Sequence, residues 1–378
     1  MNIHNDLKEQ LSHSLSKNRV SHALLFSGKC GYGTLPLVLW YAGQLLCSDK
    51  SEKCLNKTNE GQHPDLHFTY PVATTDVVKE KPKSVDFIHD WREFIKENPF
   101  ANGYTWMQHI GVDRKLGLIN KDQSYEILKT LSLRSFAGGY KIMIIWLPEA
   151  MNVESANKLL KIIEEPPTKT VFILVSEAAE ELLPTILSRC QLIKVPRLTQ
   201  LEVEEVLVQH FSVDPNLASE AAISAQGDVS LALDNLLYKS ESFEELFIQW
   251  VRNAFRAKKD ASALVDIFDW SQEIAGWNNR EKQKQFLSYC ANIFRQALVQ
   301  SYGAQDLVNH QIKSDSFKWE GFAKFIHGAN IVEILNEIND ASFHIERNGN
   351  AKIIFLDMGI KMTRFIHIKE VSTTSKEH

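Results

Sequence analysis

The sequence has no apolar run long enough to cross a bilayer. Its longest, Ile142–Leu147 and Val171–Val175, stop far short of the roughly 20 residues that a spanning helix needs. The opening stretch MNIHNDLKEQ is polar and lacks the apolar core of a secretory signal. A soluble, intracellular protein of the cytoplasm is therefore expected. Positive charge is not in excess either. Forty-two Lys and Arg against 47 Asp and Glu leave a formal net charge of −5, which argues against a protein that coats nucleic acid by itself but does not exclude a local basic patch. Cysteine is sparse: Cys30, Cys47, Cys54, Cys190 and Cys290 are scattered and odd in number, and they read as free thiols of a reducing compartment. Cys47, Cys54, His63 and His67 could supply four ligands, yet no C-x₂-C pair is present, and structural zinc sites rely on such tight spacing. No metal is expected. The 13 histidines are dispersed, and no Ser/His/Asp or Cys/His nucleophile set stands around them.

What is present suits packed cores. The chain has 378 residues, 44% of them hydrophobic, which is enough for two or three domains. The first ~200 residues alternate strand-like and helix-like segments in the manner of a mainly parallel, helix-covered sheet. Asp6–Lys17 carries Leu7, Leu11 and Leu15 at helical spacing; His22–Phe26 is a short buried strand; Gly28–Gly33 is a glycine-rich turn. Thr34–Leu46 follows as a buried helix with Pro36 in its first turn, where a missing N–H costs little. Lys141–Leu147 and Thr170–Val175 are continuous apolar runs, as strands buried on both faces should be. Val153–Glu165 is a helix halted by Pro166–Pro167. Pro184–Cys190 reads as a turn and short helix, and Leu192–Val195 as a last strand. Beyond Pro196 the periodicity is helical throughout, first in a small module over Thr199–Tyr238, then from Ser242 to Arg364. The polar stretch Cys47–Gln62 carries no clear element, and the segment 72–115 has no evident role.

Four places bear on chemistry. The first is Gly28-Lys29-Cys30-Gly31-Tyr32-Gly33-Thr34-Leu35, which has the strand–turn–helix setting of a phosphate-binding P-loop. Such a loop cradles phosphate with backbone amides, reaches it with a Lys and binds Mg²⁺ through a hydroxyl. Gly28, Gly31 and Gly33 fit. Thr34 occupies the lysine position and Leu35 the Ser/Thr position, so the loop is a vestige without its working groups. Lys29 falls in a poor register and reads as a solvated loop lysine. The second is the end of the Lys141 strand, where a Walker B site places an Asp on Mg²⁺ and a Glu near the attacking water. Here those positions are Trp146 and Leu147. Glu149 lies past the strand and reads as a helix-entry carboxylate favoured by the dipole. The third is Ser188-Arg189-Cys190; an arginine at a domain edge is usually a surface charge, but in a ring ATPase it can reach a neighbour's γ-phosphate. The fourth is Gln226-Gly227-Asp228-Val229-Ser230, where Val229 and Ser230 stand in place of a nucleotide-sensing arginine and Asp228 suffices as a helix cap.

Together, several stretches resemble the delta-prime subunits of bacterial DNA polymerase III clamp loaders, members of the AAA+ family. They are Arg19–Phe26, His63-Pro64-Asp65, Asn157–Pro167 and Leu187-Ser188-Arg189-Cys190, in matching order across about residues 1–240. The resemblance implies an AAA+ P-loop core over 1–195, a small helical lid over 196–240, an all-helical collar for oligomerisation over 241–370 and a disordered tail at 371–378. It implies a non-hydrolysing subunit of the DNA polymerase III holoenzyme, a DNA-directed DNA polymerase complex. Gamma/tau and delta subunits would be its ring partners, and the sliding clamp and primer-template DNA would be met through the complex. Arg189 would act in trans on ATP held by a neighbour. No cofactor is then expected in this chain; ATP and Mg²⁺ belong to the partner subunits. Relatives often carry a four-cysteine zinc module where only Cys47 and Cys54 remain, so a metal-free knob is expected. Two alternatives stay open: an AAA+ ATPase with an unorthodox site using Lys29 and Glu149, or a scaffold of a replication complex.

Overall fold

Every residue of the runs Lys141–Trp146 and Thr170–Ser176 is buried, and the sheet built on them has helices on both faces. A computed structural model describes residues 1–369 except positions 18, 48, 113, 114, 116, 238–240, 278, 306, 307, 309, 310, 313, 315 and 316. The tail expected at 371–378 lies outside the described residues. Two units make up the chain, Met1–Leu236 and Leu237–His378.

The first unit begins with α1 (Asn5–Ser16), β1 (Ala23–Ser27), α2 (Thr34–Leu46), α3 (Glu52–Asn59) and β2 (Leu66–Thr69). Next come α4 (Ile88–Glu97), α5 (Gly103–His109), α6 (Lys121–Ser132), β3 (Lys141–Trp146), α7 (Val153–Glu164) and β4 (Thr170–Ser176). The short α8 (Pro184–Leu187), β5 (Gln191–Lys194) and the helices α9 (Gln200–Gln209), α10 (Pro215–Ala225) and α11 (Val229–Leu237) complete it. The strand order is β2-β3-β4-β1-β5, and every pairing is parallel. Side chains alternate across such a sheet. Leu24, Phe26, Ile142, Ile144, Val171 and Ile173 therefore share one core with Val38 and Tyr41 of α2. Leu25, Met143, Ile145, Phe172 and Leu174 share the opposite core with Ile127 of α6 and Leu159 and Ile163 of α7. The expected parallel α/β core is present, and Thr34–Leu46 forms the helix read from its sequence. The stretch Cys47–Gln62 contains a helix that the reading missed; Ser51 caps it by accepting the Cys54 N–H. Pro215 opens α10 behind the Asp214 cap.

The second unit is helical among its described residues: α12 (Glu241–Arg256), α13 (Ala263–Gly276), α14 (Arg280–Ser301), α15 (Trp319–Ala323), α16 (Ile331–Glu346) and α17 (Ala351–Phe365). Its core is aromatic, with Trp250 stacked on Trp270 at 5.2 Å and edge-on to Phe294. Helices α13 and α17 meet closely at Gly359, where a Cβ would lie 2.6 Å from the Ile267 side chain. No helix among the described residues is long and apolar enough to cross a membrane.

Candidate functional site

In open parallel sheets, ligands meet the protein beyond the carboxyl ends of the strands. The turn after β1 occupies such a position. Gly28 donates its N–H to Ser176 O at the end of β4 (3.0 Å). A Cβ at Gly28 would come within 2.8 Å of Val195 O beyond β5, so only glycine lets the backbone pass. A single 3₁₀ turn, Cys30–Tyr32, leads to Gly33, whose φ of +79° opens α2. Thr34 is fully buried. Its hydroxyl sits 3.1 Å from Lys29 O and 3.3 Å from Gly28 O, turned back onto the loop's own carbonyls. Leu35 lies in the core.

The groups of this loop are engaged by the protein itself. The Cys30 N–H donates to Glu177 Oε1 at 2.8 Å, and the Glu177 N–H donates to Glu149 Oε1 at 2.9 Å. Asp228 packs so tightly on Gly31 that a Cβ there would fall 1.8 Å from its Oδ1. The same oxygen accepts the Leu231 N–H at 3.1 Å, which makes Asp228 the cap of α11 as read from the sequence. Ile3 and Phe100 close over Gly33. His4 donates its Nε2–H to Tyr32 O at 2.6 Å, and its own N–H goes to Glu202 Oε1 at 2.8 Å. Burial pushes the Cys30 thiol well above its usual range, and the charges of Glu177, Glu149 and Asp228 push the same way. Burial also raises the carboxyls of Glu149 and Asp228, because a charge removed from water is disfavoured. A loop of the type that receives phosphate is thus lined by carboxylates.

The helix that Glu149 enters is only the short 3₁₀ turn Pro148–Ala150, and its carboxyl holds the backbone after β4. Lys29 is exposed, as a solvated loop lysine should be, with its ammonium 6.0 Å from the Tyr32 ring. Val229 is buried in the first turn of α11, and the Ser230 Cβ lies 3.1 Å from where a Gly31 Cβ would stand.

At the end of β3, Trp146 is fully buried, with its ring 5.1 Å from Trp91 and 5.9 Å from Phe94. Trp91 in turn stacks on Tyr70 at 4.1 Å and meets Trp106 edge-on at 5.2 Å. The segment 72–115, without evident role in the sequence, therefore supplies α4 and α5 as the aromatic cover of Trp146. Leu147 follows with φ +53°, a left-handed conformation that costs a side-chain-bearing residue roughly 1–2 kcal/mol. Its N–H pairs with Val175 O, and its side chain lies against Gly103.

Arg189 follows α8. Its Nε donates to Glu164 Oε2 at 2.8 Å and its Nη1 to Thr185 O at 2.9 Å and Ser188 Oγ at 3.4 Å. None of these bonds goes to the glycine loop. Cys47 and Cys54 are joined as a disulfide with a Cα separation of 5.8 Å, which corrects the expectation of free thiols throughout. Helix α3 brings the two cysteines together across a turn whose closure spacing alone did not reveal. Cys30, Cys190 and Cys290 are free. No group of three or more His, Cys, Asp or Glu among the described residues could hold a metal ion. The sequence reading missed Glu177 and Glu164. The one signal for Glu177 was its place directly after a strand that neighbours β1.

A five-stranded parallel core with a glycine loop after β1, followed by helical modules, defines a P-loop-like α/β protein with a helical C-terminal unit. The family model described as "DNA polymerase III, delta subunit" matches residues 3–199, just over half of the sequence, and the chain belongs to that family. It is 25% identical over 314 residues to DNA polymerase III subunit delta' of Bacillus subtilis, covering 82% of this chain and 81% of that protein. With subunit delta' of Pseudomonas aeruginosa it shares 29% identity over 267 residues, 66% of this chain and 69% of the other. It is also 23% identical over 297 residues to subunit tau of Bacillus subtilis, covering 71% of this chain and 45% of tau. The resemblance to delta-prime clamp-loader subunits stands.

Proposed function

We propose that this chain is the non-hydrolysing delta-prime subunit of a DNA polymerase III clamp loader, and that it donates Arg189 to ATP bound by an adjacent gamma/tau subunit. The observation that carries this reading is the glycine loop engaged from within: Glu177 on the Cys30 amide and Asp228 against Gly31. Mg²⁺–ATP does not fit these residues. The lysine position holds Thr34 with its hydroxyl turned to loop carbonyls, the metal-ligand position holds Trp146 inside an aromatic cluster, and carboxylates would oppose the phosphates. The ATP and Mg²⁺ of the complex belong to partner subunits. The delta subunit completes the ring in this reading, and the sliding clamp and primer-template DNA are met by the assembled complex in the cytoplasm.

Arg189 supports the second half of the proposal. Its side chain is about one-third exposed, and guanidinium is the group that stabilises charge on a transferring phosphoryl. The alternative with Lys29 and Glu149 has less support, since Glu149 is committed to the Glu177 amide. The test has two arms. The isolated chain should neither bind Mg²⁺–ATP tightly nor hydrolyse it. The reconstituted complex should lose ATPase activity with Arg189→Ala, by on the order of 10³-fold at the site served, while assembly is retained. Full activity of an intact Arg189→Ala complex refutes the trans role, and ATPase by the lone chain abolished by Lys29→Ala refutes the silent site.

A further inference from the structure

Glu164 is the last residue of α7. A carboxylate there meets the negative end of the helix dipole, an unfavourable place for an anion. What offsets that placement is Arg189, whose Nε lies 2.8 Å from Glu164 Oε2. The arginine is held at three points: Glu164 takes Nε, and Thr185 O and Ser188 Oγ take Nη1. An arginine has five N–H donors in a rigid planar fork, and among the described residues no acceptor engages Nη2. The side chain is therefore oriented through Nε and Nη1 and keeps Nη2 for an outside acceptor. A side chain with so many rotatable bonds would otherwise lose considerable freedom on meeting its target.

We propose that Glu164 is a positioning residue that pre-organises Arg189 for an oxyanion presented by a neighbouring subunit. The proposal rests on the trans role given above and deepens it: α7 and α8 form a mount, with the Glu164 carboxylate on Nε and the Thr185 carbonyl on Nη1. Pre-organisation acts on the chemical step, because it removes ordering that would otherwise accompany the transition state. It should leave the neighbour's ground-state ATP binding alone.

The experiment uses the complete reconstituted complex, with subunit stoichiometry checked for each variant. Glu164→Ala should lower the kcat of ATP hydrolysis on the order of tenfold with KM for ATP little changed. Glu164→Gln keeps an oxygen that can accept the Nε–H, and it should recover part of that loss. In an Arg189→Ala background, neither Glu164 variant should lower the rate further. Three results overturn the proposal: an unchanged or raised kcat in Glu164→Ala, a loss confined to KM, or a loss of the same size with Arg189 absent, which marks a merely structural role. An Arg189→Ala complex of full activity instead overturns the trans reading beneath it, so the two failures are distinguishable.

Discussion

Replacing Gly31 with alanine puts a methyl group where Asp228 already sits. The new Cβ would lie 1.8 Å from Asp228 Oδ1 and 2.7 Å from its Cγ, well inside contact distance, so the carboxylate must leave. On leaving, it gives up the Leu231 N–H that it accepts at 3.1 Å and uncaps α11. Loss of a cap costs roughly 0.5–2 kcal/mol, and strain from the inserted methyl adds roughly 1–3 kcal/mol. Gly31→Ala should therefore destabilise the first unit by roughly 2–4 kcal/mol. Asp228→Ala alone should cost only the cap, about 1 kcal/mol. The double variant then has no carboxylate to displace and loses the cap only once, so it should cost less than the sum by roughly 2–4 kcal/mol. The chain has two units, so a single global transition is an unsafe reporter. Amide hydrogen exchange at Leu231 and along α2, read together with thermal unfolding, isolates the contact. Additive costs in the double variant, or a Gly31→Ala protein with native exchange at Leu231, would falsify the claim that Asp228 is seated on the loop.

The buried carboxyls should leave a pH signature. Burial raises Glu149 and Asp228 above their ordinary values of 4.5 and 3.8, so the folded state holds those protons more tightly than the unfolded one. The stability they contribute is fully present below those ordinary values and falls as pH rises through the raised ones. Glu149→Gln with Asp228→Asn should flatten that fall, seen as a variant-minus-wild-type stability difference that rises from about pH 4 upward and then levels. A difference constant with pH refutes it. Trp146→Ala empties the centre of the Trp91–Phe94–Trp146 cluster and should cost roughly 3–5 kcal/mol, measured by urea unfolding; a loss under about 1 kcal/mol contradicts the packing described. Alkylation of the folded chain by iodoacetamide at pH 8 should spare Cys30 and Cys290, both fully shielded and raised well above the usual thiol range. Cys190, pushed up to about 11, should react slowly, and rapid labelling of Cys30 would show that the loop opens.

The sequence by itself determined the elements whose signal is local. The buried runs of β3 and β4, the helix Thr34–Leu46 and the stop at Pro166–Pro167 follow from apolar continuity, spacing and proline geometry, all of which act within a few residues. It also determined which chemical groups are missing, since a threonine at position 34 and a tryptophan at 146 supply neither an ammonium nor a carboxylate in any fold. Tertiary structure alone decided what stands in their place. Cys30 and Glu177 are 147 residues apart in the chain, and only the parallel pairing of β1 with β4 brings that carboxylate to the loop. Asp228 reaches Gly31 because glycine leaves no Cβ to stop it, a contact that capping rules applied to α11 cannot reveal. Helices α4 and α5 acquire their purpose from Trp146, Cys54 from the turn that carries it back to Cys47, and Arg189 its orientation from a glutamate 25 residues earlier. Non-local contacts depend on strand order and close approach, and neither is written in residue spacing.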